Sequence, residues 1–166
     1  MVTIFLRNKC DMLPSDNSLG ADNQQERLKL SCWIVGFTDG EGCFSVSIFR
    51  NKTSKMLWQV MPEFVLTQGE SSLACLKMVQ HFFQVGRIYI NKRYDNHREH
   101  LYRYCVRNRS DLTNIIIPFF KNYPLKTNKQ VDFVRFVQII EKMNRNEHLT
   151  QSGLDAIAKI VGKKLS

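Results

Sequence analysis

Four short segments in which apolar and polar residues alternate constrain the fold of this chain more than any other feature of its sequence. The four segments are CFSVSIFR (43–50), MLWQVMPEFVLTQ (56–68), GRIYINKR (86–93) and LYRYCVRN (101–108). A period of two is typical of strands with one buried face, and a polar turn between two such strands indicates a hairpin. We therefore expect two hairpins. Pro62, which lacks a backbone donor, indicates an edge or a bulge in the second strand.

Helical segments surround these hairpins. Apolar segments at 28–42 and 71–83 each precede a hairpin, and amphipathic segments follow at 111–120, 128–143 and 148–164. The order α-ββ-α-ββ-α-α-α predicts an α+β fold in which one four-stranded antiparallel sheet carries its helices on one face.

The amino-terminal region differs in composition from the rest of the chain. Residues 10–26 are rich in Asp, Asn, Ser and Gly, which favours a loop. We expect residues 1–27 to form a loosely ordered arm and residues 28–166 to form one domain, which is large enough to bury its own core. Ser31 is then the expected N-cap of the first helix.

The charge of the chain is positive and unevenly distributed. The 24 Lys and Arg exceed the 15 Asp and Glu, which gives a net charge of +9. Residues 43–110 carry 11 of the basic and 4 of the acidic residues. A basic surface centred on the predicted sheet favours a polyanionic partner, and the alternative is an ordinary solvated basic surface.

The sheet face opposite the helices carries the side chains expected to contact nucleic acid. Arg, Asn and Gln bond base edges in the major groove of DNA, and that groove admits a β-ribbon. Any one-sided sheet needs a polar outer face, but that need does not explain the excess of Arg over Asp and Glu. The candidate DNA-binding residues on this face are Ser45, Ser47, Gln59, Arg87, Tyr89, Asn91, Arg93, Arg103 and Arg107.

Several classes of protein are disfavoured by what the sequence lacks. No stretch approaches the about 18 apolar residues of a membrane span, and the short apolar start does not fit a secretory signal. The five cysteines are scattered without a CxxC pair, which favours reduced thiols over disulfides or zinc. No Walker loop or GxGxxG run occurs. We expect no membrane partner, no nucleotide cofactor and no secretion.

The most informative run is WIVGFTDGEG (33–42). Gly36 and Gly40 are four residues apart and share one helix face, where small residues let a second helix approach closely. Asp39 and Glu41 follow at the predicted helix end, so two packed copies would bring carboxylates together as ligands for divalent cations. The alternative from the residues alone is a helix that ends at glycines beside solvated acids.

This run, as IVGFTDGEG, resembles the LAGLIDADG motif of homing endonucleases in register. Further similarity in TQGESSL (67–73), in 111–133 and in EHLTQSGL (147–154) extends the resemblance over residues 28–155. The resemblance implies an αββαββα fold followed by helices. Because the 166 residues hold one motif, it also implies a homodimer that joins through its motif helices. The implied activity is that of an intron-encoded, site-specific endonuclease that cuts both strands of a long pseudo-palindromic DNA site.

The resemblance also implies roles for individual residues. Glu41 takes the metal-binding position of the motif, where Asp is commoner, and the Gly40 carbonyl is a further ligand. Gln68 is expected to position water, and Lys129, with Lys126 as the competing choice, to stabilise charge on the scissile phosphate. The expected dimer interface consists of Val35, Gly36, Asp39 and Gly40.

The implied cofactor is Mg²⁺, with Mn²⁺ able to substitute and Ca²⁺ supporting binding alone. Two alternatives stay open: an RNA intron maturase, and a DNA-binding protein of the same fold that has lost cleavage. The expected location is the bacterial cytoplasm or an organelle, either chloroplast or mitochondrion.

Overall fold

The computed structural model describes residues 17–54, 56–92 and 99–165. Its two helix–hairpin units are α1 (Asn17–Glu41), β1 (Gly42–Arg50) and β2 (Trp58–Gly69), then α2 (Leu73–Phe83), β3 (Arg87–Asn91) and β4 (Leu101–Val106). The helices that follow are α3 (Arg109–Asp111), a π-helical stretch (Leu112–Ile116), α4 (Ile117–Asn122), α5 (Lys129–Asn144) and α6 (Gln151–Val161). The predicted α+β class and the αββαββα order are confirmed.

The four strands form one antiparallel sheet in the order β1-β2-β4-β3. Gly42 pairs with Leu66 at the end of β1 that adjoins α1, and Val65 pairs with Cys105 between the two central strands. Register fixes which side chains share a face, because successive residues of a strand point to opposite sides.

Aromatic side chains dominate the core between the sheet and the helices. The Phe44 ring lies 5.0 Å from Phe64 in the sheet, 5.2 Å from Phe120 in α4 and 5.1 Å from Phe133 in α5, measured between centroids. Phe44 is stacked on Phe64 and packs edge-to-face on the other two rings, and aromatic pairs of both kinds stabilise a core beyond the area that they bury. The inner face of the sheet therefore packs against the helices, and the outer face is left available for contact with another molecule.

The first helix begins earlier than the sequence predicts. Residues 17–27 belong to α1, so the expectation of a loose arm is wrong for them, while residues 1–16 lie outside the described part. Ser31 is not an N-cap: it is buried within α1, and its Oγ donates to the Arg27 carbonyl at 2.9 Å. Polar residues on all sides of the first turns give no amphipathic period, which is why composition favoured a loop.

Pro62 lies where β2 tolerates a missing donor. The β1–β2 register runs without interruption from Gly42 to Arg50 and places Pro62 opposite Val46, so no bulge forms. Pairing with β4 begins only at Phe64. Pro62 therefore faces an unpaired side of β2 within the described residues, which agrees with the predicted edge.

The carboxyl-terminal region returns to the first strand. Gly162 ends α6 in the left-handed region at φ 75°, and the chain that follows brings the Lys163 ammonium to the Ile48 carbonyl of β1, to which it donates. Within the described residues β1 pairs with β2 alone, so this contact lies on an edge strand. No helix among these residues has the length and apolar character needed to cross a bilayer.

Candidate active site and nucleic-acid interface

The end of α1 passes directly into β1 at Gly42. A Cβ at this position would stand 2.7 Å from the Thr38 carbonyl oxygen, so only glycine permits so tight a transition. The residue before it, Glu41, is exposed. Within the described residues its carboxylate has no hydrogen-bond or ion-pair partner. A negative group is thus displayed at the junction of helix and strand.

Lys129 reaches this junction from the first turn of α5. Its Nζ donates to the Asp39 carbonyl at 2.8 Å and to the Gly40 carbonyl at 2.7 Å. The last carbonyls of a helix lack partners in the helix and attract cations. Lys126 contributes its backbone N–H to the Asp39 carboxylate, so of these two lysines Lys129 is the one whose ammonium is bonded to the last carbonyls of α1.

Asp39 joins the segment before α5 to the end of α1. Its carboxylate accepts the Lys126 N–H at 2.8 Å, the Thr127 N–H at 3.1 Å and the Thr127 hydroxyl at 2.7 Å. Desolvation raises the pKa of this carboxyl, but the hydrogen bonds and the Lys129 charge outweigh it, so the pKa lies below its ordinary value. Asp39 therefore joins the residues just before Lys129 to the end of α1, which positions Lys129.

Gln68 lies at the same end of the sheet. Because Gly42 pairs with Leu66, the chain before Gly42 runs beside the end of β2, and Gln68 is two residues beyond that pair. Its side chain is half-buried and belongs to the parity of Leu66, opposite Tyr102. The register thus places Gln68 at the same end, or corner, of the sheet as the α1–β1 junction that Lys129 reaches from α5. The neighbouring Thr67 points to the outer face, opposite Arg103.

The donor set at this corner suits a hard divalent cation. A carboxylate and a carbonyl are the oxygen ligands that Mg²⁺ and Ca²⁺ prefer. The Gly40 carbonyl has two lone pairs, so the bond from Lys129 leaves one available. Within the described residues no group of three or more His, Cys, Asp or Glu side chains could hold a metal. The oxygen donors described at this corner are the Glu41 carboxylate and the Gly40 carbonyl.

One face of α1 is open in the single chain. A Cβ added at Gly36 or at Gly40 would meet nothing within 4 Å, and Cys32 and Trp33 are exposed beside them. Of the residues expected at a dimer interface, Gly36 and Gly40 lie on this face. Val35 differs, because it belongs to the core of its own chain, and Asp39 is occupied by the segment before α5.

The candidate DNA-binding residues share the outer face of the sheet. Strand pairing aligns Ser45 with Glu63, Arg103 with Tyr89, and Arg87 with Cys105. The register extends the same face to all the described members of the predicted set. They are Ser45, Ser47, Gln59, Arg87, Tyr89, Asn91, Arg103 and Arg107. Arg93 lies outside the described residues.

The centre of this face is buried, which the alternation did not predict. Glu63, Val65 and Cys105 are 8%, 4% and 4% exposed. Desolvation raises the pKa of the Cys105 thiol, which keeps it protonated. Glu63 stands out because it is an acid in the middle of a basic surface, bonded to Arg103 and Arg107. Its parity was evident from sequence, but its partners 40 and 44 residues away were not.

Comparison with known proteins adds a family to this geometry. The family model described as LAGLIDADG endonuclease matches residues 34–140. A relative from Neurospora crassa, "Probable intron-encoded endonuclease 2", is 34% identical over 159 residues, which is 90% of this chain and 34% of the relative. The chain thus spans about a third of the length of that relative.

Solved structures show the same fold. The crystal structure of a homing endonuclease, I-TnaI, is 39% identical, with a TM-score of 0.70 over 82% of this chain and 88% of that one. I-SmaMI bound to an uncleaved DNA target in the presence of calcium ions is 35% identical, with a TM-score of 0.72 over 82% of this chain and 46% of that one.

Proposed function

Because this chain belongs to the LAGLIDADG endonuclease family, we propose that it is an intron-encoded homing endonuclease that cuts both strands of a long DNA site. The observation that carries the proposal is the exposed Glu41 carboxylate, which has no partner among the described residues and directly follows the Gly40 carbonyl that accepts the Lys129 ammonium at the end of the motif helix. The open glycine face of that helix and the arginine-bearing outer face of the sheet supply the two other requirements, a partner surface and a DNA surface.

Each residue at this corner has a separate role in phosphodiester hydrolysis. The Lys129 ammonium lies beside the scissile phosphate and stabilises the negative charge that develops as the P–O bond breaks. Gln68 donates or accepts a hydrogen bond to orient a water. Asp39 stays out of the chemistry and fixes Lys129 through the segment before α5. Preorganised charge and positioning, rather than a covalent intermediate, lower the barrier.

Glu41 and the Gly40 carbonyl are the groups that would hold Mg²⁺. A divalent cation bound there supplies Lewis-acid stabilisation of the phosphate and makes a coordinated water easier to deprotonate. Mn²⁺, which shares the preference for oxygen ligands, is expected to substitute. Ca²⁺ is expected to support binding alone, and I-SmaMI is bound to an uncleaved DNA target in the presence of calcium ions.

A second copy of the chain would complete the site. Gly36 and Gly40 leave room for another helix to pack closely against α1, and a two-fold contact there brings the second Glu41 near the first. Two sheets side by side then form a longer basic surface for two half-sites of duplex DNA.

The experiment that tests the proposal uses Glu41→Gln. This change keeps the size of the side chain and removes its charge, so the variant should bind the target DNA in Ca²⁺ as the wild type does and fail to cut it in Mg²⁺. Ends sequenced from a randomised plasmid library cut by the wild type define the target. Glu26→Gln, at an exposed position of the same helix, is the matched control and should cut normally.

Two results would contradict the proposal. Normal cutting by Glu41→Gln would remove Glu41 from the site. A wild-type protein that leaves the library intact but binds structured intron RNA would favour the maturase alternative. As to location, the N. crassa relative is an intron-encoded protein of a eukaryote, which favours an organelle over the bacterial cytoplasm.

A further inference from the structure

Glu63 is the most deeply placed charged side chain on the outer face of the sheet. Its Oε2 accepts a hydrogen bond from Arg107 Nε at 2.8 Å, and its Oε1 accepts weaker ones from Arg103 Nη2 and Ser45 Oγ, both at 3.4 Å. The donors come from β1 and from β4 and its end, on the two sides of β2. One carboxylate thus links three strands at the centre of the face.

A buried acid is an unexpected residue on a surface that binds a polyanion. It lowers the positive charge that attracts phosphates and repels DNA directly. Its side chain is 11% exposed, whereas those of Arg103 and Arg107 are 39% and 44% exposed. The arginines therefore lie between the acid and the solvent, where DNA would lie, and the acid reaches DNA only through them.

Arg107 is held on two sides. Glu63 binds its Nε, and the guanidinium carbon lies 5.7 Å from the centroid of the Tyr89 ring. Within the described residues its two Nη nitrogens make no hydrogen bond. A guanidinium fixed through Nε and stacked on a ring presents its Nη edge in one orientation. Reading the O6 and N7 of guanine by two parallel bonds requires such a fixed orientation.

We infer that Glu63 is a positioning residue for sequence reading, which orients Arg107 and, more weakly, Arg103 toward base edges at the cost of overall affinity. This inference rests on the proposed function, because it needs the outer face to meet duplex DNA. It makes Glu63 a determinant of specificity that contacts no base. A purely structural role for the same contacts would give the face its shape without affecting the choice of base pairs.

The variant Glu63→Gln distinguishes the positioning role from the structural one. The glutamine keeps the size and one acceptor but releases the arginines from a charge-assisted bond. Freed arginines bind phosphates, which lie everywhere on DNA, so binding to unrelated duplex is expected to hold or to tighten. Discrimination between the target and its single-base-pair variants is expected to fall by about tenfold at the one or two positions that Arg107 and Arg103 read.

The measurement is a binding profile of the full chain in Ca²⁺, where cleavage does not interfere. Duplexes selected by the wild-type protein from a random library define its preferred site, and affinities for that site, its single-base-pair variants and an unrelated duplex are compared. Asp155→Asn, which removes one exposed acid from α6, is the charge-matched control and should leave the profile unchanged. Thermal unfolding reports whether each variant is folded.

Glu63→Asp provides a second variant that keeps the charge but withdraws the carboxylate by one methylene. It should lose discrimination at the same positions. Either an unchanged profile in both variants or a uniform loss of affinity for every duplex would overturn the inference while leaving the nuclease proposal intact. A wild-type protein that selects no sequence at all would overturn the proposed function itself, and the inference with it.

Discussion

At the scale of single residues, one carboxylate holds the candidate site together. Asp39 accepts three hydrogen bonds from Lys126 and Thr127, and the same segment leads into Lys129, whose ammonium lies on the last carbonyls of α1. Residues nearly ninety positions apart in the chain meet here, so the geometry of the corner depends on a contact that only folding creates.

Asp39→Asn should weaken this corner. The variant loses the charge and part of the acceptor capacity, so we expect unfolding to cost about 1 kcal/mol less and cleavage to slow by about tenfold through a misplaced Lys129, with DNA binding in Ca²⁺ retained. Chemical denaturation and single-turnover cleavage measure the two effects. Asp132→Asn, at an exposed position of α5, is the control, and equal losses in both variants would contradict the assignment.

The difference in stability between the wild type and Asp39→Asn should depend on pH with a definite sign. The folded pKa of Asp39 lies below its ordinary value, so the charged form is favoured by folding. Its stabilisation is complete above the unfolded pKa, about 4, and is lost as the pH falls below that value toward the folded pKa. The stability gap between the wild type and Asp39→Asn should therefore close on acidification in that range.

The candidate site residues differ in how far the sequence alone could point to them. Glu41 and Gly40 sit in one contiguous run, and Lys129 was identified by a resemblance to the family. The choice between Lys129 and Lys126 depended on which side chain turns toward α1, a property of the tertiary structure. Glu63 was out of reach for a similar reason, since its importance comes from arginines on another part of the chain.

At the scale of elements, α1 does two jobs on different faces. One face packs Ile34 and Val35 into the core, while the other exposes Gly36 and Gly40 with open space around them. The strands were predictable from their period of two, which a half-buried sheet imposes on the sequence. The beginning of α1 was not, because its polar sequence has no amphipathic period.

Gly36→Leu should separate folding from assembly. A Cβ at Gly36 meets nothing within 4 Å and the position is exposed, and leaving glycine favours the helix by about 1 kcal/mol, so the monomer should unfold no more easily. The bulky side chain should block close packing of a second α1, so sedimentation should report a monomer and cleavage should disappear. Gly36→Ala, the milder change, should show a partial defect. A fully dimeric and active Gly36→Leu protein would exclude this face as the interface.

At the scale of the whole molecule, the basic residues are concentrated in the part of the chain that forms the sheet. The basic middle of the sequence folds into the sheet, and the arginines of β3 and β4 emerge on its outer face, away from the helices. The overall architecture was predictable because the order and period of the segments restrict a chain of this length to few topologies. The buried centre of the outer face was not, since long side chains cover it only after the strands have paired.

This distribution should make DNA binding strongly dependent on salt. If about five phosphates are neutralised by each chain, affinity for unrelated duplex should fall by about 10² to 10³ between roughly 50 and 200 mM salt. Arg87→Gln, on the exposed outer face, should reduce the slope of log affinity against log salt by about one. Arg135→Gln, on α5 where Arg135 pairs with Asp132, should leave it unchanged. A flat dependence would argue against phosphate contacts.

The contact between Lys163 and the Ile48 carbonyl bears on whether the edge strand β1 can pair with a strand of another molecule. An edge strand with free backbone groups invites a strand from a neighbouring molecule, which is how ordered aggregates begin. The Lys163 ammonium donates to a carbonyl of β1. That carbonyl is therefore occupied, and a positive charge lies where an incoming strand would pair. At this one group, the residues after α6 thus oppose the addition of a further strand to β1.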